Sequence, residues 1–99
     1  MANINEYSIV SWNPVGSAKY TVKLTTPAYS PIHTVSDHEG SSIAASILLL
    51  DAGVPRAGVT QGSAYKILVY TQGAFGLGDY AEIDVTVQGA PAPTGLAVS

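Results

Sequence analysis

Four residues with metal-ligand character lie close together in the first half of the chain: His33, Asp37, His38 and Glu39. A divalent metal site needs imidazole and carboxylate groups that converge from rigid elements. Here all four lie in or beside one turn that ends at Gly40, and their spacing matches no ligand motif. We interpret the segment as a solvated loop, with a metal site as the weaker alternative, and we expect no cofactor.

Other reactive side chains form no catalytic pattern. No Ser occupies a Gly-x-Ser-x-Gly elbow, and no motif places either His to activate one. Glu82 and Asp84 alternate along a predicted strand as solvent-facing carboxylates do, so paired acid–base catalysis is a weak interpretation. We expect no enzymatic activity unless a metal or substrate binds at residues 33–39.

Residues 73–78 (GAFGLG) are rich in glycine, as phosphate-binding turns are. They join two predicted strands instead of opening a helix, so the context does not fit phosphate binding, and the glycines are better explained by a hairpin bend. Phe75 and Leu77 would be large apolar groups near the tip of this loop. Two alternatives stay open for them: packing back onto the end of the domain, or forming a contact surface for a partner.

Composition bounds the fold and the partners. A chain of 99 residues with 46% hydrophobic residues suits one domain with its own core. Only 11% of residues are charged, and the four basic ones are scattered (Lys19, Lys23, Arg56 and Lys66), so we expect no nucleic-acid partner. Cysteine is absent, which leaves packing alone to hold the fold. No apolar run approaches the roughly 20 residues of a membrane helix, so we expect no membrane-spanning segment. Residues 1–6 do not resemble a secretory signal, so we expect no signal peptide.

The elements that position these residues are predicted to be short strands. Residues 7–12 and 65–71 are rich in β-formers, residues 19–24 alternate with Tyr20, Val22 and Leu24 on one face, and residues 83–87 form a last strand. Short edge strands are expected near residues 32–35 and within residues 51–62, while residues 37–42 form a turn. Residues 43–50 (IAASILLL) fit a helical turn or a buried strand, and their length and flanking glycines favour the strand.

About seven short strands without a convincing helix predict an all-β fold, an antiparallel sandwich of two sheets, with a barrel as the alternative. Specific residues resemble a fibronectin type III domain, which is an immunoglobulin-like sandwich. Trp12 before Asn13-Pro14 is similar to the core Trp strand of that family, and residues 59–65 (VTQGSAY) are similar to its glycine turn and corner tyrosine. The predicted glycine-rich loop of residues 73–79 and the strand of residues 81–87 are similar to the family's final hairpin.

Two departures from the family pattern concern assembly. Residues 93–98 (PTGLAV) read like the strand that precedes the Trp strand in the family, yet here they come last, so the order is circularly permuted. Tyr7 and Ile9 fall on the face opposite Val10 and Trp12, which makes both faces of the first strand apolar. We therefore divide the chain into a core, residues 1–89, and a strand-forming tail, residues 90–99.

The link to this tail is short. Residues 89–93 span only about 16–18 Å when fully extended, whereas a six-residue strand is about 20 Å long. Returning to its own domain would strain the link, so we expect Leu96 and Val98 to be buried in another copy. Self-closure and a loosely docked tail are the alternatives.

These observations favour a structural protein without enzymatic activity. We expect a homo-oligomer, or a subunit bound to a larger protein lattice, whose interaction residues are Phe75, Leu77, Leu96, Val98, Tyr7 and Ile9. Analogy with the resembled family indicates a phage virion component, such as a capsid decoration or fibre subunit, made in the host cytoplasm. The alternative is a carbohydrate- or surface-binding module of an extracellular protein, with Tyr29, Tyr70 and Tyr80 as its only candidate aromatic platform.

Overall fold

A computed structural model of the chain describes residues 1–99 and contains nine strands and one helix. With 49% strand and 5% helix, it confirms the prediction of an all-β fold with antiparallel sheets. The elements, in chain order, are β1 (Ala2–Ile4), β2 (Ile9–Ser11), β3 (Tyr20–Thr25), β4 (Pro31–His38), β5 (Ser42–Ala44), α1 (Ala45–Leu49), β6 (Leu50–Asp51), β7 (Val54–Pro55), β8 (Ala64–Gly73) and β9 (Gly76–Val87).

Five strands form the main sheet, in the order β1-β9-β8-β3-β4. The alternation predicted for Tyr20, Val22 and Leu24 is confirmed, since all three are buried in β3. Thr21, on the opposite face, is buried as well, because β3 is a central strand paired with both β8 and β4.

A second, smaller layer covers the inner face of this sheet. It consists of the two-stranded sheet β2-β5 and helix α1, whose apolar side chains pack on those of β3, β8 and β9. The core brings together Val22, Leu24, Ile43, Ala45, Leu48, Leu49, Ile67 and Val85, among others. Burial of these side chains drives the packing of the two layers.

Helix α1 corrects the strand predicted at residues 43–50. Only the first two of these residues continue β5, and the next five form one helical turn. The buried residues are Ala45, Leu48 and Leu49, a spacing of three and four that matches a helix. A run of apolar residues carries no clear period, and the tertiary hydrogen bonds that Arg56 donates to the carbonyl oxygens of this turn are invisible in a local pattern.

Several predicted boundaries shift. Tyr7 lies in a turn and not in the first strand, because the Asn5 side chain accepts from the Tyr7 N–H at 2.8 Å and the Ser8 N–H bonds the Asn5 carbonyl. The predicted loop at residues 73–79 is a tight hairpin in which Gly73 pairs with Gly76, so that Leu77 already belongs to β9. Strand β4 is longer than predicted and includes Asp37 and His38, the first two residues of the predicted turn at residues 37–42.

Strand β1 was not predicted. It pairs in parallel with the end of β9, with Ala2 opposite Val85 and Ile4 opposite Val87. Ile4 is buried in the core, and its carbonyl accepts from the Gln88 N–H at 2.8 Å. Three residues with one apolar anchor are too short to stand out as a strand pattern.

The tail, residues 90–99, forms no strand within this single chain. Every one of its residues is exposed, including Leu96 and Val98 at 92% and 99%. The molecule accordingly measures 61 × 28 × 27 Å. A strand formed by this tail, and its burial in another copy, stay predictions.

Candidate interaction surface

An apolar groove of about 390 Å³ opens between the two layers, beside β2. Ten of its fourteen lining residues are hydrophobic: nine come from β1, β2, β8 and β9, and the tenth is Trp12, directly after β2. The exposure of Ile83 on β9 explains how this groove forms. Ile83, Val85 and Val87 share the inner face of the strand, yet Ile83 is 46% exposed while Val85 is 3% exposed. The second layer therefore stops before it covers Ile83.

One edge of β2 is unpaired and borders this groove. The Trp12 N–H bonds the Ser41 carbonyl, and the Ala45 N–H bonds the Ser8 carbonyl, so alternate residues of β2 face β5. In an antiparallel ladder the residues between them direct their N–H and C=O groups the other way. Ile9 and Ser11 thus present backbone donors and acceptors along a free edge.

Trp12 closes one end of the groove. Its ring packs edge-on against Tyr20, with centroids 5.2 Å apart, and its indole N–H is buried without an acceptor. The predicted core role of Trp12 is met in part, because the side chain is half-buried and packs against the core.

The six predicted interaction residues are all exposed, but they lie in separate places. Ile9 lies at the groove, and Tyr7 lies in the preceding turn. Phe75 and Leu77 lie at the β8–β9 hairpin, where Phe75 is fully exposed, so packing of Phe75 back onto the domain does not occur. Leu96 and Val98 lie on the tail. Sequence reasoning missed Ile83, since an apolar residue in phase with Val85 and Val87 looks like an ordinary core position.

The candidate aromatic residues share the outer face of the main sheet. Tyr70 and Tyr80 are opposite each other on β8 and β9, with ring centroids 5.1 Å apart, and the Lys23 ammonium lies 5.0 Å from the Tyr70 ring. Tyr29 donates to Glu82 at 2.9 Å, and the Lys66 ammonium lies 5.2 Å from its ring. This face presents three phenol rings among charged groups.

Hydrogen bonds on that face shift two pKa values. The Tyr29 hydroxyl donates to the Glu82 carboxylate, which raises the pKa of Tyr29 above its usual 10.0. The Lys66 ammonium lies 2.6 Å from Asp84 and 3.1 Å from Glu82, and these two hydrogen bonds raise the pKa of Lys66. Both groups therefore keep their protons to a higher pH than they ordinarily would.

The residues considered as metal ligands separate in the structure. Asp37 bonds Gln72, His38 bonds the Ser42 carbonyl, and Glu39 forms a long contact of 3.9 Å with Lys19. His33 is half-buried, and burial, with a smaller effect from Arg56, lowers its pKa. No group of three or more His, Cys, Asp or Glu side chains is placed to hold a metal ion.

Comparisons of the chain with protein-family models, with curated proteins and with solved structures find no match. The one helix has five residues, so no helix here is long and apolar enough to cross a membrane.

Proposed function

We propose that this protein is a non-enzymatic structural subunit that assembles with copies of itself or with a larger protein lattice. The observation that carries the proposal is the tail. Leu96 and Val98 would lie on the same face of an extended segment, and both side chains are almost completely exposed. The tail contains no charged side chain. Apolar side chains displayed in this way favour burial against a partner. The exposed Phe75 and Leu77 at the hairpin provide a second apolar surface.

The fold that we propose for this role is a fibronectin type III-like sandwich. Its support is the corner tyrosine: the Tyr65 hydroxyl donates to the Gly58 carbonyl at 2.9 Å and accepts from the Thr60 N–H at 2.8 Å. A tyrosine near the start of a strand, bonded back to the preceding corner, is typical of immunoglobulin-like sandwiches. The setting that we propose, by analogy with that family, is a phage virion, as a capsid decoration or fibre subunit.

Light scattering tests self-assembly. The full chain is expected to form oligomers whose mass grows with concentration, and a chain that ends at Gly89 is expected to lose them while keeping its β-sheet circular dichroism. A synthetic peptide of residues 90–99 should then restore hydrogen-exchange protection to the shortened chain. A full chain that stays monomeric at high concentration would overturn self-assembly. The virion setting requires that mass spectrometry finds the chain in purified phage particles, and its absence there would contradict that setting.

A second candidate is a carbohydrate- or surface-binding module of an extracellular protein. It is favoured by one observation, the gathering of Tyr29, Tyr70 and Tyr80 on one sheet face. Polysaccharide pull-down that disappears in the Tyr29→Ala and Tyr80→Ala variants would support it. Retention of oligomers in the same variants would show that assembly uses other residues.

A further inference from the structure

The groove beside β2 has the properties of a slot for one more strand. It offers the unpaired backbone groups of Ile9 and Ser11 along one side. Its floor is apolar and includes Ile83, which faces inward yet is half exposed. A strand added here would extend the second layer from two strands to three and would cover Ile83. This combination of main-chain pairing and side-chain burial is how an extended segment binds a sheet edge.

The tail fits this groove in its lack of charge and in the alternation of its apolar side chains. Residues 90–99 carry no charged side chain, and the one charged residue that lines the groove, Glu82, has its carboxylate bonded to Tyr29 and Lys66 on the outer face of the sheet. In an extended segment Leu96 and Val98 share one face, and Ala97 takes the other. Pro91 and Pro93 lack the N–H that a ladder needs, so a paired segment would begin after them, at Thr94.

The direction of the slot decides which copy fills it. The Ser8 N–H bonds the Asn5 carbonyl, so the chain reverses between β1 and β2. Since β1 is parallel to β9, β2 runs opposite to β9, and a strand antiparallel to β2 runs in the same direction as β9. Such a strand begins near the level of Ala81, whereas the tail leaves β9 after Val87.

To reach the level of Ala81 on its own domain, the tail would need nearly the full extended length of the link that follows Val87. Six strand residues from Val87 back to Ala81 measure about 20 Å, and the two layers are about 10 Å apart, so the path is about 22 Å. Seven Cα–Cα steps lead from Val87 to Thr94, and they reach about 23–25 Å only when completely extended. A second copy faces no such constraint.

We infer that the groove beside β2 receives residues 94–98 of a second copy, antiparallel to β2, with Leu96 and Val98 against Ile83. This inference rests on the proposed self-assembly and names its acceptor site. Because tail and groove are different surfaces, the contact closes into a dimer when two copies exchange tails reciprocally, and otherwise it is head-to-tail and generates a ring or a filament.

Complementary variants test it. Leu96→Asp disrupts the tail that is inserted and leaves the groove intact. Ile83→Asp disrupts the groove that receives it and leaves the tail intact. Each variant alone is expected to lose self-association by at least about tenfold, because it places a carboxylate in an apolar groove. An equal mixture is expected to form a 1:1 dimer, since one intact tail meets one intact groove. Ala97→Asp adds the same charge on the other face and is the matched control, expected to assemble.

Several outcomes would overturn the inference. If the full chain assembles and both Asp variants still do, assembly is real but uses another surface. If the full chain is monomeric with a protected tail, the groove is filled by its own chain and self-assembly fails as well. Should Ile83→Asp lose its circular dichroism, Ala81→Asp, at an exposed groove position, replaces it as the acceptor variant.

Discussion

Arg56 holds the end of the single helix, because its Nε donates to the Leu48 carbonyl at 3.1 Å. The same guanidinium donates from Nη2 to the carbonyls of Ile47 and Leu50, at 3.1 and 2.7 Å. The last carbonyls of a helix have no partner within the helix, so a cation placed there satisfies them and interacts favourably with the helix dipole. A one-turn helix depends on such contacts more than a long one does.

Removing this guanidinium should destabilise the fold. Arg56→Met keeps most of the apolar stem and leaves helix carbonyls without their donors, so we expect a loss of about 1–3 kcal/mol in the free energy of unfolding, measured in urea. Lys19→Met is the matched control, since its ammonium makes only one exposed contact of 3.9 Å with Glu39. We expect the control to change stability by less than about 0.5 kcal/mol. Equal stability of the two variants would contradict the capping role.

His33 should titrate below its usual pKa of 6.5, because it is half-buried and Arg56 lies near it. A histidine with a lowered folded pKa binds fewer protons in the folded state, so its contribution to stability is present above pH 6.5 and is lost as pH falls below it. NMR titration of the two imidazoles measures the midpoint directly. In Arg56→Met we expect the His33 midpoint to rise, and a midpoint of 6.5 or above in the wild type would refute the prediction.

Tyr65→Phe should cost about 1–3 kcal/mol of stability. The ring stays in place, but the Gly58 carbonyl and the Thr60 N–H lose their common partner in a half-buried corner. Tyr70→Phe is the control, because packing against Tyr80 needs the ring alone. Thermal unfolding should separate the two variants clearly, and similar midpoints would argue against the corner bonds.

The cluster on the outer sheet face should weaken at alkaline pH. Tyr29 and Lys66 both have raised pKa values, so their contribution to stability is complete below about pH 10 and is lost as pH rises beyond it. The phenolate absorbance of Tyr29, obtained as wild type minus Tyr29→Phe, should titrate above pH 10. In Glu82→Gln we expect this titration to shift down toward 10.0, since the carboxylate that accepts the hydroxyl proton is gone. An unshifted titration in Glu82→Gln would remove Glu82 as the cause.

The sequence pattern predicted the elements whose own residues determine their structure, and it failed for elements that depend on contacts elsewhere in the chain. The alternation of Tyr20, Val22 and Leu24 located β3, because these three apolar side chains share the face that packs in the core and polar residues separate them in the sequence. Helix α1 was assigned incorrectly because it depends on contacts that the apolar pattern of residues 43–50 does not show: packing of Leu48 and Leu49 in the core, and the hydrogen bonds that Arg56 donates to the helix carbonyls. Strand β1 depends on its pairing with β9 and on burial of Ile4 in the core, and neither contact is visible in a three-residue pattern.

The interaction surface divides in the same way. Phe75 and Leu96 were predicted from the sequence as interaction residues, and both are exposed in the single chain, although packing of Phe75 back onto the domain had been left open. The groove was not predicted, because it is defined by what the second layer fails to cover. Ile83 reads as a core residue until the extent of β2 is known.

Strand β9 joins the two exposed apolar ends of the molecule. Phe75 immediately precedes it, the tail begins after Gly89, and the twelve residues of β9 form one strand with a single register shift against β8. At about 3.4 Å per residue the strand acts as a ruler of about 40 Å. If partners bind at both ends, their attachment points on one copy are separated by the length of this strand, and two residues added to each hairpin arm would increase that separation by about 7 Å.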